Sequence, residues 1–84
     1  MELRTLRYFL AVAREENMTE AANVLHVTQP TPSRQIADLE RELGVELFER
    51  TNRSCVLTGD GMRLRQRAEE ILALVEQTES EMSD

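Results

Sequence analysis

Length, composition and charge limit this chain to one small domain. Its 84 residues, 40% of them hydrophobic, suffice for a single core, and one cysteine and one histidine exclude an internal disulfide and disfavour a zinc site. We therefore expect no metal and no cofactor. No apolar stretch approaches the roughly 20 residues of a membrane span, and the first residues lack a signal-peptide pattern, so we expect a cytoplasmic protein without a membrane partner.

The net charge of -6 arises near the C-terminus. Residues 1–67 hold ten acidic residues and ten arginines, whereas residues 68–84 hold six acidic residues and no basic one. The overall charge therefore does not argue against a nucleic-acid partner of the first segment. The chain has no lysine. Its cationic side chains are guanidinium groups, which form forked contacts to phosphate and guanine.

Hydrophobic residues at helical spacing predict a first helix over residues 3–16. Asn17 interrupts the pattern, Thr19 is the expected N-cap of a short second helix, and that helix ends near His26. We interpret His26 as a packed or capping residue and not as a ligand.

Two prolines, Pro30 and Pro32, mark the entrance of the third helix. Proline is tolerated in a first helical turn, where its missing N–H would have no intrahelical partner. A start at Thr28 or Gln29 with an irregular first turn is the favoured prediction, and a start with Thr31 as N-cap is the alternative. An apolar stripe follows, and Gly44 is expected to end the helix; the stripe leaves outward-facing positions at Thr31, Arg34, Gln35 and Asp38.

Residues 47–48 and 55–58 are predicted to form two short strands around the polar turn Thr51–Ser54. The hairpin presents Arg53, and we expect the preceding Arg50 to brace it. Cys55 is interpreted as a small buried hydrophobe and not as a redox sensor, because it is an isolated thiol.

From Asp60 onward the chain returns to helix, with seam residues spaced alternately four and three apart. A helix of about 22 residues cannot bury such a seam alone, so we expect self-association. The alternative is an amphipathic helix folded back onto the first helix. The seam, broadened by Leu72, consists of Leu64, Ala68, Ile71, Val75, Thr78 and Met82.

These elements, in this order, are typical of a winged helix-turn-helix. The patterns "AA..LHV.QP", "SRQI..LE.ELGV.LFER" and "R...LT..G" closely resemble the N-terminal DNA-binding domain of LysR-type transcriptional regulators. The resemblance implies a mainly α fold, with three helices and a short β-hairpin wing over residues 1–59 and a long linker and dimerisation helix over residues 60–84. It also implies a bacterial regulator that binds promoter DNA as a homodimer, forms a tetramer at full length, and senses a small-molecule effector through a domain absent from this chain.

The third helix is then expected to enter the major groove as the recognition helix. Gln29 can pair with adenine and Arg34 with guanine. Pro30 or Thr31 can contact a thymine methyl group. Pro32 departs from the family pattern, in which an apolar residue other than proline is usual.

The remaining expected contacts are to the DNA backbone and the minor groove. Thr28 and Ser33 would donate hydrogen bonds to phosphate, and Arg53 at the tip of the wing would enter the narrow groove. The competing role for Arg34 is an ion pair with Asp38 one turn away. The competing function is a winged-helix module that binds protein. Salt distinguishes the two functions, because DNA binding weakens steeply as the salt concentration rises. An enzyme is disfavoured because no nucleophile-base pair and no glycine-rich phosphate loop are present.

Overall fold

The computed structural model describes residues 1–84 and contains four helices and one two-stranded antiparallel sheet. This confirms the predicted fold class. No helix has both the length and the hydropathy needed to cross a membrane. In chain order the elements are α1 (Leu3–Glu15), α2 (Met18–Leu25), α3 (Thr31–Leu43), β1 (Phe48–Arg50), β2 (Cys55–Leu57) and α4 (Gly59–Met82).

The corner between α1 and α2 corrects the predicted cap of the second helix. Asn17, not Thr19, is the N-cap, and its Oδ1 accepts the N–H of Glu20 at 2.8 Å. Asparagine is among the strongest capping residues, so α2 begins at the earlier position. Glu16 and His26 end α1 and α2 in left-handed conformations with φ of 56° and 59°. His26 thus caps α2 through its backbone, and its side chain is exposed.

The entrance of α3 differs from the prediction, because the helix begins at Thr31 with Pro30 as the N-cap. A start at Thr28 would place Pro32 where an N–H should donate to the Thr28 carbonyl. Instead, the Thr31 N–H donates to that carbonyl at 2.8 Å, and the Arg34 N–H donates to the Pro30 carbonyl at 3.0 Å. Pro32 consequently occupies the second helical position, where no donor is required.

The wing is a short hairpin in which Phe48 pairs with Leu57 and Arg50 pairs with Cys55. Its first strand begins one residue later than predicted and extends to Arg50. The turn lies where it was predicted, and Cys55 is buried, which confirms its interpretation as a small core residue. Gly44 ends α3 as predicted, with a φ of 71° that glycine adopts without a steric cost.

The core lies between α1, α3, the wing and the first half of α4. Phe9 is fully buried at its centre, and its ring lies 5.4 Å from that of Phe48. The core joins α3, the wing and α4 to α1, so their relative positions are set by one packed cluster. Its largest fully buried side chains include Leu6, Phe9 and Val12 of α1, Ile36 and Leu39 of α3, and Leu47 before β1.

Helix α4 begins against the wing. The Thr58 Oγ1 caps it by accepting the Gly61 N–H at 3.0 Å, and the same hydroxyl donates to the Glu46 carbonyl at 2.6 Å. Gly61 lies so close to the chain before β1 that an added Cβ would stand 2.1 Å from the Leu47 carbonyl oxygen. A glycine is therefore required at this contact.

The two halves of the predicted α4 seam differ in whether this chain covers them. Ala68 is fully buried in the chain's own core, so its assignment to an interface between copies is wrong. Leu64, Ile71 and Leu72 pack partly against the same core. Over this half, α4 folds back onto α1, as the alternative predicted. Met82 near its end is 76% exposed, which leaves the second half without a partner in this chain.

Candidate nucleic-acid interface

The residues predicted to contact DNA cluster at the N-terminal tip of α3. Thr28, Gln29, Pro30 and Arg34 are exposed, and Thr31 and Ser33 are half-buried. Pro32 is the exception, since its ring is fully buried and packs the tip onto the body. The tip also carries the partial positive charge of a helix start, which favours anions.

Gln29 and Ser33 interact with each other one turn apart. The Ser33 hydroxyl donates to the Gln29 Oε1 at 3.2 Å. Bidentate pairing with adenine uses both the oxygen and the NH2 of a glutamine amide. Binding in that mode would replace the Ser33 hydrogen bond, which would free the Ser33 hydroxyl for a phosphate oxygen. The two predicted roles are therefore chemically compatible.

Arg34 makes no ion pair, although Asp38 lies one turn away on the same helix. Asp38 instead pairs with Arg41. The competing structural role of Arg34 is thus not realised, and its guanidinium is exposed near the helix tip. All five of its N–H donors remain free for a base edge or a phosphate.

The wing turn is held rigidly by its own side chains. The Thr51 Oγ1 accepts the N–H groups of Arg53 at 3.3 Å and Ser54 at 3.1 Å. Two further bonds tie the wing to the corner between α1 and α2. The Asn17 Nδ2 donates to the Arg53 carbonyl at 3.3 Å, and the Cys55 N–H donates to the Glu16 carbonyl at 2.9 Å. These bonds fix the backbone of Arg53 relative to the body, while its side chain is exposed and unpaired.

A groove of about 220 Å³ lies between the wing and the start of α2, and Gln29 also lines it. It brings Gln29 and Arg53, predicted separately as site residues, to one surface. No carboxylate lines it, although the chain carries a net charge of -6. A groove with arginines and no acid favours anions. We call it the wing groove, and it is lined by Asn17, Met18, Thr19, Gln29, Arg50, Thr51, Asn52, Arg53, Ser54 and Cys55.

Cys55 lies at the floor of this groove as a neutral thiol. Burial raises the pKa of Cys55 above its usual value, while the Arg50 guanidinium nearby lowers it to a smaller extent. A raised pKa keeps the nucleophilic thiolate scarce at neutral pH. Cys55 therefore contributes packing and not reactivity.

Asn17 and Glu40 support the site but were not predicted to do so. Asn17 caps α2 and also holds the wing, and its capping role was indicated by Glu20 three residues later. Glu40 of α3 accepts the Leu47 N–H at 2.7 Å, which fixes the start of the wing. The contact of Asn17 with the wing joins residues 36 positions apart, so no local pattern indicates it.

Comparison with known proteins identifies the family. Residues 3–62 match the family described as bacterial regulatory helix-turn-helix protein, lysR family. The chain belongs to the LysR family. This confirms the resemblance predicted from the sequence, and the LysR family consists of transcriptional regulators and not of enzymes.

Two LysR-family relatives are similar to this chain over part of their own length. ClcR of Pseudomonas putida is 50% identical over 76 residues, which cover 90% of this chain and 26% of that protein. BenM of Acinetobacter baylyi is 48% identical over 77 residues, which cover 92% of this chain and 25% of that protein. The chain spans about a quarter of the length of these relatives.

Solved structures of LysR-family members match the whole fold. The crystal structure of the CbnR DBD–DNA complex has a TM-score of 0.96 and 43% sequence identity, covering 99% of this chain and 95% of that one. The BenM DBD in complex with catB site 1 DNA has a TM-score of 0.94 and 46% identity, covering 99% and 92%. The winged helix-turn-helix and the long α4 are therefore shared with these LysR-family proteins.

Proposed function

We propose that this chain is the sequence-specific, double-stranded DNA-binding domain of a LysR-type bacterial transcriptional regulator. The observation that carries the proposal is the exposed, unpaired guanidinium of Arg34 at the tip of α3. Its solved relatives include the CbnR and BenM complexes with DNA. A bacterial regulator of this kind acts on the chromosome, so we place it in the cytoplasm.

In the proposed complex, the tip of α3 lies in the major groove and the wing lies at the backbone or the adjacent minor groove. Gln29 pairs with adenine, and Arg34 pairs with guanine. The contacts to a thymine methyl group come from Pro30 or Thr31. Hydrogen bonds to phosphate come from Thr28 and Ser33, and the contact to the narrow groove comes from Arg53.

The test uses a cognate duplex selected from a random DNA pool with the wild-type chain. Replacing Arg34 with alanine should cost about 1–3 kcal/mol on the selected site and relax discrimination at one base pair. Arg7→Ala is the matched control, because it removes the same charge from an exposed, unpaired position on α1. Equal losses for Arg34→Ala on selected and random duplexes would contradict base recognition.

We further propose that α4 pairs with the same helix of a second copy, through its unpartnered second half and through partly exposed side chains of its first half. The proposed interface consists of the apolar seam residues other than Ala68, which are Leu64, Ile71, Leu72, Val75 and Met82. Pairing in opposite directions is supported by charge, since the start of α4 carries Arg63, Arg65 and Arg67 and its end carries Glu76, Glu79 and Glu81. Arg63 and Arg67 already pair with Asp60 and Glu70, but such exposed pairs contribute little and can exchange partners.

Sedimentation of the chain at concentrations on the order of tens of micromolar tests this dimer, because self-association depends on protomer concentration. Val75→Asp should shift the chain toward monomer, since the new charge would lie in the apolar seam. Ala73→Asp, at an exposed position outside the seam, is the control. A monomeric wild type that sediments like Val75→Asp would exclude the dimer. Tetramer formation and effector binding are proposed for the full-length regulator, through its effector-sensing domain.

A further inference from the structure

Arg34 has one acidic neighbour on its own helix. Residues three and four apart are neighbours on a helix surface, and Asp38 is the only carboxylate at these distances from Arg34 in either direction. An ion pair between them would occupy guanidinium N–H donors that the proposed contact with guanine requires. The partner that Asp38 chooses therefore bears on DNA binding.

A second arginine of α3 holds this carboxylate. The Arg41 Nη2 donates to the Asp38 Oδ1, three residues earlier. The two side chains are 73% and 66% exposed, so the pair lies at the surface and either member can change partner. Arg34, Asp38 and Arg41 follow one another at spacings of four and three residues, which places all three along one side of α3.

The order of charges along α3 explains why Asp38 pairs with Arg41 and not with Arg34. An ion pair on a helix is more favourable when the acidic residue precedes the basic one, because this order matches the helix dipole. Asp38 precedes Arg41 but follows Arg34. The preference between two such exposed pairs is small, so removal of the Arg41 charge is sufficient to redirect the carboxylate.

We infer that Arg41 is a positioning residue, which keeps the Asp38 carboxylate away from Arg34 and so leaves the Arg34 guanidinium free for DNA. This inference rests on the proposed DNA-binding function and deepens it. Asp38 is then an internal competitor of DNA, because a carboxylate and a base edge use the same N–H donors of Arg34. Arg41 needs no contact with DNA for this role.

Arg41→Gln tests the role of Arg41, since glutamine has a similar helix propensity but no charge. Affinity for the selected duplex is measured by fluorescence anisotropy at low salt, where exposed ion pairs are least screened. We expect the affinity to fall roughly twofold, which is the effect of one ion pair on a helix surface. Loss of a cation near DNA can also weaken binding directly, so the same substitution is made in two further backgrounds.

The two backgrounds are Asp38→Asn and Arg34→Ala. In Asp38→Asn, adding Arg41→Gln should not change the affinity, because no carboxylate remains to compete for Arg34. In Arg34→Ala, adding Arg41→Gln should also have no effect, because no guanidinium remains to be captured. An equal loss in the wild type and in both backgrounds would overturn the inference, since Arg41 would then act on DNA through its own charge.

The Nε–H signal of Arg34 in a proton–nitrogen correlation NMR spectrum reports the pairing of this guanidinium without DNA. The signal is assigned by its loss in Arg34→Ala. Arg41→Gln should shift it, and the shift should be absent when Arg41→Gln is added to Asp38→Asn. Arg7→Gln, which removes an exposed, unpaired charge from α1, should leave the signal in place.

The NMR measurement also separates this inference from the proposed function. If the wild type binds no duplex, the proposed function fails, while the Arg34 signal still reports whether Asp38 changes partner. An Arg34 signal that does not move in Arg41→Gln would overturn the inference. The freed carboxylate would then remain in solvent or turn to Arg4, which lines a groove of about 270 Å³ together with Asp38.

Discussion

Replacing Gly61 with alanine should sharply destabilise the fold, because α4 contacts the chain before the wing at this residue. The new Cβ would lie 2.1 Å from the Leu47 carbonyl oxygen and 2.8 Å from the Leu57 Cδ2. Overpacking of this kind costs about 1–3 kcal/mol. That carbonyl also accepts the Thr58 N–H at 3.0 Å, and displacing it adds the loss of a hydrogen bond, about 0.5–1.5 kcal/mol. We therefore expect a total loss of about 2–4 kcal/mol.

The matched control lies two residues earlier in the same helix. An alanine Cβ at Gly59 meets nothing within 4 Å, so Gly59→Ala should be neutral or stabilise by up to about 1 kcal/mol. Thermal unfolding followed by circular dichroism separates the two variants, because each 1 kcal/mol shifts the Tm of a domain this size by about 4–8 °C. Equal melting temperatures for Gly61→Ala and Gly59→Ala would refute the proposed clash.

Substitutions at two further positions, Asn17 and Thr5, probe contacts between the elements of the fold. Asn17→Ala should cost about 0.5–2 kcal/mol in urea unfolding, through loss of the α2 cap. Asn17→Asp should keep the cap but lose the hydrogen bond to the Arg53 carbonyl. We therefore expect faster amide hydrogen exchange in the wing at a stability close to that of the wild type, and unchanged exchange would contradict this hydrogen bond. Thr5→Val should cost about 0.5–1.5 kcal/mol because the Thr5 hydroxyl donates to Gln35 across 2.7 Å, whereas Thr5→Ser should retain most of the stability.

Sequence patterns predicted the helix ends that depend only on neighbouring residues. The apolar periodicity of α1 and the Gly44 stop of α3 each depend on residues within a few positions. The entrance of α3 is different, because Pro30 and Pro32 are compatible with several starts. The choice among them depends on which backbone donor reaches the Thr28 carbonyl, and that donor is the Thr31 N–H.

The seam of α4 shows a second limit of sequence patterns. A heptad of apolar residues indicates that a helix face must be covered, but it does not identify what covers it. Ala68 is covered by the chain's own core, while Met82 is exposed. The same distinction applies to the site. The tip of α3 and Arg53 are indicated by residue type, whereas the support of Asn17 under Arg53 joins positions 36 residues apart.

Two of the first three helices end at residues that make the fold less stable than glycine would. All three end at a residue with positive φ, but only Gly44 is a glycine, while Glu16 and His26 carry side chains. A side chain in the left-handed region costs roughly 1–2 kcal/mol. Both side chains are exposed, so glycine at either position would sacrifice no buried contact. These two positions therefore offer a thermostable background in which destabilising changes at the DNA-facing residues could be studied in a folded protein.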